Sequence, residues 1–155
     1  MIISTLHKFI FVAIPKTGTH AVRQALREHL GEQDLEQVGL FVQKKFPIPE
    51  LAKLQHGHLT LQQVRPHLDA VTFGSFLKFA FVRNPFDRFV SYCAFMTRQQ
   101  GTFQTNPQAV MRHFAFTAPP MQHLLFQPQH LFVTGGDGQP LTDFTGPVEQ
   151  MQDSY

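Results

Sequence analysis

The chain has one cysteine, no tryptophan and two tyrosines, and only 15% of its residues are charged. A single thiol, Cys93, excludes an internal disulfide framework and is compatible with a reducing compartment. Thirteen Lys and Arg against eleven Asp and Glu leave a net charge of +2, which does not point to broad nucleic-acid binding. The apolar run 9–14 is too short to cross a membrane. It also lacks the layout of a signal peptide, because Pro15 and Lys16 stand where a small-residue cleavage site belongs. No Cys/His or His/carboxylate spacing argues for zinc, so no metal is expected. These absences point to a cytoplasmic protein whose partners are neither nucleic acid nor membrane.

What is present is a core material. Hydrophobic residues make up 43% of the 155, seventeen of them Phe, enough for one domain with one core over residues 1–155. No repeat, linker or low-complexity tract divides it. The low charge is unusual for an isolated soluble surface, so a homodimer or a missing part of the chain is compatible with the composition. Nine His add a pH-dependent reserve of positive charge.

Residues 9–14 are continuously apolar and rich in β formers, as expected of a strand buried on both faces. A turn follows, then a helix over residues 21–30 that Gly31 is placed to end. Residues 38–42 read as a short strand, and Pro47 and Pro49 break regular structure after it. Thr60 and Gln63 have the spacing of a capping box, predicting a short helix that stops near Pro66. Residues 79–82 form a second buried strand. Asn84 then caps a helix with Pro85 in its first position, Asp87 in its first turn, and Phe89, Val90, Cys93 and Met96 along an apolar stripe. Asn106-Pro107 repeats this start signal for a helix to about Phe116. Residues 131–133 read as a third strand, residues 135–138 as a tight turn, residues 141–144 as a returning strand, and Val148 as the start of a helix. Strands alternating with helices predict an α/β, three-layer sandwich around a central parallel sheet.

Two segments carry chemistry. Ile14-Pro15-Lys16-Thr17-Gly18-Thr19-His20 joins a buried strand to a helix. A helix start leaves backbone N–H groups unpaired, and with the dipole these form an anion site. Lys16 adds a full charge, Thr17 and Thr19 add hydroxyls, and Gly18 lets the backbone approach closely. The lysine precedes the glycine, so this is not the usual nucleoside-triphosphate loop. A plain strand–helix turn with a surface lysine explains the same residues. The second segment, residues 82–91, puts Arg83 at a strand end, where open α/β sheets bind ligands, with Arg88 and Ser91 on the next helix. Arginine grips phosphate with two parallel hydrogen bonds. For Arg88 a salt bridge is the competing reading, and for Ser91 an exposed helix position.

Together, and in this order, the two segments resemble the sulfotransferase superfamily. Pro15, Lys16, Thr17, Gly18 and Thr19 match its 5′-phosphosulfate loop, and Arg83, Pro85, Arg88 and Ser91 match its 3′-phosphate motif. His56-Gly57-His58 between them is similar to a segment of the heparan 2-O-sulfotransferases and related bacterial proteins, whose second histidine is the catalytic base. The resemblance runs from about Phe9 to the end. It implies a P-loop-like nucleotide-binding core and 3′-phosphoadenosine 5′-phosphosulfate as co-substrate. It further implies a hydroxyl acceptor, a carbohydrate by family. Lys16 and His58 would be catalytic, and Lys16, Thr17, Gly18, Thr19, His20, Arg83, Arg88 and Ser91 would bind the nucleotide. His20 stands where many members have Ser or Thr. The family domain continues past the point matching Tyr155, so an incomplete C-terminal part is expected.

Other readings stay open at this level. His58 also fits a residue ahead of the Thr60 helix, and His56 either orients it or is a loop residue. Phe103, Phe114, Phe116 and Phe126 line an acceptor groove or belong to the core. Lys44-Lys45 meets an acidic glycan or is simply solvated. Cys93 reads as core. As a whole, the chain also fits a binder without turnover or, less well, a P-loop-type kinase, which would need a carboxylate where Arg83 ends the second strand.

Overall fold

A computed structural model describes residues 1–37 and 48–154. The chain opens with β1 (Ile2–Ser4), turns back into β2 (Phe9–Val12) and enters helix α1 (Thr19–Arg27). A two-residue strand β3 (Leu35–Glu36) follows, then the short helices α2 (Pro49–Ala52), α3 (Leu61–Val64) and α4 (Ala70–Ser75). Next come β4 (Leu77–Val82), the long helix α5 (Pro85–Met96), and α6 (Thr102–Thr105) and α7 (Pro107–Arg112). β5 (Phe144–Pro147) closes the sheet.

The sheet order is β3-β1-β2-β4-β5. β2, β4 and β5 run parallel, with Phe11 opposite Phe79 and Phe79 opposite Phe144, whereas β1 pairs antiparallel with both β2 and β3. The sheet is therefore mixed, which corrects the all-parallel expectation. β1 escaped the sequence reading because three residues are too few to show a period, although Ile2 and Ile3 are fully buried.

Alternate side chains of the strands pack on opposite faces. On one face Ile3, Ile10, Val12 and Ala80 meet Leu51, Leu61, Val64 and Phe132. On the other, Ile2, Phe11 and Phe81 meet Val22 and Leu26 of α1. Helical segments thus cover both faces, as a three-layer α/β arrangement requires. A third apolar cluster, around Tyr92, Cys93 and Val110, ties α5 to α7. Phe103, Phe114 and Phe126 are partly buried and pack against it, Phe114 and Phe126 also lining a recess beside α5, while Phe116 is exposed. Cys93 is buried and its thiol is pushed up by desolvation, in keeping with a packing role.

Local signals place several elements as read. Thr60 and Gln63 make both bonds of a capping box, at 3.1 and 2.9 Å. Asn84 accepts from the Phe86 N–H at 2.9 Å, with Pro85 in the first helical position. Asn106 accepts from the Ala109 N–H at 3.0 Å, but α7 gives way to a π-helical turn over His113–Thr117. A 3₁₀ helix begins at Val148.

The third strand expectation fails. Residues Gln129–Phe132 form a 3₁₀ helix, and the return contracts to a single Thr134–Pro140 bridge around the 135–138 turn before β5 starts at Phe144. The apolar run there reflects burial of Phe132 and Val133 under the sheet, not strand pairing. The strand expected over residues 38–42, and Lys44-Lys45, lie outside the described residues. Among the described residues no helix is long and apolar enough to cross a membrane.

Candidate functional site

β2 and β4 are parallel neighbours, with Val12 opposite Ala80. Their C-terminal ends therefore face the same way, and the segments leaving them emerge side by side. Open α/β sheets bind ligands at such an edge.

Leaving β2, the chain bends sharply. Lys16 has φ 66° and Gly18 φ 71°, both left-handed. For glycine this conformation is free of steric cost, whereas for lysine it costs about 1–2 kcal/mol, so the surrounding structure must hold Lys16 there. Part of that hold is Thr17, which is fully buried and donates its hydroxyl to the Ile14 carbonyl at 3.0 Å. The Thr17 hydroxyl, expected on the ligand, is spent on the turn itself. Gly18 caps α1 without any side-chain hydrogen bond. No side chain competes for the first amides of the helix, which have no carbonyl one turn behind them.

Arg83 follows β4. The Gln129 side chain reads its backbone like a neighbouring strand: Oε1 accepts from the Arg83 N–H at 2.9 Å, and Nε2 donates to the Arg83 carbonyl at 2.8 Å. One residue on, the Asn84 N–H donates to Glu149 Oε1 at 2.7 Å, and this bond holds the Glu149 carboxyl below its ordinary value. The strand end is thus fixed on both sides before α5 begins.

His58 is delivered by the loop ahead of α3, anchored by fully buried Leu59 and Leu61. Its Nδ1 lies 2.6 Å from the Ala13 carbonyl, at the outgoing end of β2. A carbonyl only accepts, so Nδ1 carries the proton and Nε2 keeps its lone pair. Burial pushes the imidazole from 6.5 down to about 4; the Ala13 bond opposes this, while the amino terminus, Arg23 and His56 reinforce it. His58 is therefore neutral at pH 7, in the tautomer that leaves Nε2 basic. His56 is also lowered by burial, and its Nδ1 is buried without a hydrogen-bond partner among the described residues.

These segments converge on a single cavity of about 650 Å³. Lys16, Gly18, Thr19, His20, His58, Arg83 and Ser91 all line it. So do Arg23, Phe95 and Arg98, which the sequence reading missed. Among the described residues, four cationic residues and three histidines line the space, and no carboxylate does. The ion pairs among the described residues, Arg27–Glu36 and Lys78–Asp143, involve none of these lining residues. Such an enclosure favours an anion with several charged groups. Phe95 was accessible from Ser91, since a step of four residues keeps to one helix face, whereas Arg98 lies just past the end of α5. Gln129 gave no sequence signal.

Arg88 is placed elsewhere. It is buried, and its guanidinium donates to three backbone carbonyls: Nε to Pro15 at 2.9 Å, Nη2 to Leu125 at 3.1 Å and to Gln127 at 2.9 Å. It makes no salt bridge among the described residues, and its three bonds brace the Lys16 turn against the 125–129 segment that carries Gln129. Removing a donor from buried carbonyls exposes their desolvation cost. Arg88→Ala is expected to lower unfolding free energy in urea by about 3 kcal/mol. Arg88→Lys should recover only a fraction, because one ammonium does not span three carbonyls on two segments.

A protein-family model described as "Sulfotransferase family" matches residues 1–115. No curated protein matches the chain, and no solved structure does. Among the described residues no group of three His, Cys, Asp or Glu is arranged to hold a metal ion.

Proposed function

The chain belongs to the sulfotransferase family, and on that premise we propose that it transfers the sulfuryl group of 3′-phosphoadenosine 5′-phosphosulfate to a hydroxyl, with a carbohydrate as the acceptor class. The observation that carries this reading is the meeting of the Lys16 turn with Arg83 and Ser91 in one carboxylate-free cavity. The donor has two anionic ends, and the two loops are two anion-binding ends.

In this reading the amides that open α1, with Lys16, Thr19 and His20, hold the 5′ end, and Arg83 and Ser91 hold the 3′-phosphate. His20 substitutes a ring N–H for the hydroxyl common at that position. Sulfuryl transfer is in-line, so positioning and charge neutralisation carry most of the catalysis, as in phosphoryl transfer. The acceptor oxygen forms a bond to sulfur, its proton passes to His58 Nε2, and the bond from sulfur to the 5′-phosphate oxygen breaks with its electron pair. Lys16 neutralises the charge that develops on that phosphate. The Ala13 carbonyl stabilises the proton on Nδ1 while His58 acts as base.

The carbohydrate assignment is supported by the His56-Gly57-His58 pattern and by a second recess. His58 lines not only the cationic cavity but a smaller space of about 190 Å³, together with Thr60, Gln63 and Gln127. Among the described residues that recess carries no charged side chain in its lining, mixes polar groups with Leu124, Leu131 and Phe132, and would let an acceptor reach the base.

Calorimetric titration with adenosine 3′,5′-bisphosphate, in the presence of EDTA, tests the reading. Saturable, metal-independent binding is expected, weakened by high salt. Arg83→Ala should cost about 1.5–3 kcal/mol of that binding, the range for charge-assisted hydrogen bonds. Absence of binding at millimolar ligand would remove the proposal.

A further inference from the structure

Among the described residues the Lys16 ammonium is not paired with a carboxylate. It sits 4.0 Å from the centroid of the Phe95 ring, and the Arg98 guanidinium lies 3.8 Å from the same centroid. Arg98 lies just past the end of α5 and donates Nη1–H to the Phe95 carbonyl at 2.7 Å. Phe95 belongs to none of the three apolar clusters and stacks on no other ring among the described residues. A half-buried phenylalanine on the last turn of α5 therefore has two cations as its distinctive neighbours.

We propose that Phe95 is a positioning residue: its ring is a neutral platform that holds the Lys16 and Arg98 charges facing the cavity until an anion arrives. The proposal rests on the sulfotransferase reading for its catalytic consequence, but its structural part stands alone.

The physical argument is a comparison of partners. A buried carboxylate would also hold Lys16, but breaking such a pair to free the lysine costs about 3–5 kcal/mol. It would also cancel the charge the site needs. A ring face attracts an ammonium by only about 0.5–2 kcal/mol and leaves its N–H donors available. The aromatic partner is strong enough to select a rotamer and weak enough to yield to a phosphate. Such a partner is needed here, because Lys16 is repelled. Burial lowers its pKa from 10.5 to about 8, with Arg98 and then Arg83 contributing in the same direction. Without a favourable surface the side chain would swing away from both arginines and out of the cavity. The left-handed backbone of Lys16 contributes by fixing where its side chain leaves the turn.

The test uses the full chain and two variants. In the free wild-type protein the ring current should move the Lys16 Hε proton resonances upfield, and Phe95→Leu should abolish that displacement. Adenosine 3′,5′-bisphosphate should still bind Phe95→Leu within a few-fold, because Arg83 and the α1 amides are untouched. In transfer assays Phe95→Leu should lower kcat about tenfold with little change in nucleotide KM, a loss matching one ring-face interaction. Phe95→Tyr, which keeps the ring, should restore both the resonance position and kcat. Unshifted Lys16 resonances in the wild type, an undiminished kcat in Phe95→Leu, or a Tyr variant no better than the Leu variant would each overturn the platform. If the wild type transfers no sulfate, the proposed activity fails, and the resonance measurements still support or overturn the platform.

Discussion

Replacing His58 with alanine is expected to reduce sulfate transfer a hundred- to ten-thousand-fold, about 3–5.5 kcal/mol of barrier, while adenosine 3′,5′-bisphosphate binds nearly as before. The split follows from geometry. His58 lines the cationic cavity from the His56–His58 loop and not from the Lys16 or Arg83 segments, so its removal takes no cation from the proposed ligand. What is lost is the proton acceptor and the hydrogen bond to Ala13. Full activity in the variant would remove His58 from the mechanism, whatever happens to binding.

The pH dependence has a defined sign. A general base works deprotonated, so activity falls as pH drops through its pKa. With His58 lowered to about 4 by burial, the acid limb of kcat/KM for the free protein lies well below the ordinary histidine value. A bound polyanion favours the imidazolium, so the limb of kcat lies higher. Folding obeys the same linkage. The unfolded imidazole takes up its proton near 6.5 and the folded one near 4. The stabilisation is therefore complete above 6.5 and is lost as pH falls toward 4.

Lys16→Ala is the second large effect, expected to lower kcat about a thousandfold, the scale for removing one preorganised group from a developing anion. Lys16→Arg should not restore it. A compact ammonium resting on Phe95 reaches into the cavity as a point charge, whereas a planar guanidinium brings a fork of different shape into a space already shared with Arg98. The alkaline limb in wild type also has a predicted sign. Lys16 must be protonated, so free-enzyme activity declines as pH rises through about 8, where burial, Arg98 and Arg83 place its pKa. Bound phosphate favours the charged form and moves the decline upward in kcat. Both variants are read by steady-state transfer rates across pH, with calorimetry as the binding control.

Arg88 and Thr17 illustrate where legibility stopped. Both stand in segments whose residue types resemble a nucleotide site, and type alone does not say which hydroxyl or guanidinium points at the ligand. Thr17 turns inward to close the bend at Ile14, and Arg88 is consumed by carbonyls of Pro15, Leu125 and Gln127. The apolar stretch at 131–133 misled for a related reason. Burial and strand pairing leave the same hydrophobic trace in a short run, and only the position of Phe132 under the sheet distinguishes them.

By itself the sequence determined whatever depends on near neighbours along the chain. The buried runs that became β2 and β4, the Thr60–Gln63 box, the Asn84-Pro85 helix start and the turns at Lys16 and Arg83 all follow from contacts within a few residues. Tertiary structure alone decided that those turns share one cavity, that β1 makes the sheet mixed, and that Gln129 holds Arg83 from 46 residues away. It also decided that the Lys16 ammonium, in the turn after β2, lies over the ring of Phe95 on α5. The reason is that hydrogen bonds and ring faces act over a few ångströms of space, and separation along the chain does not encode that distance.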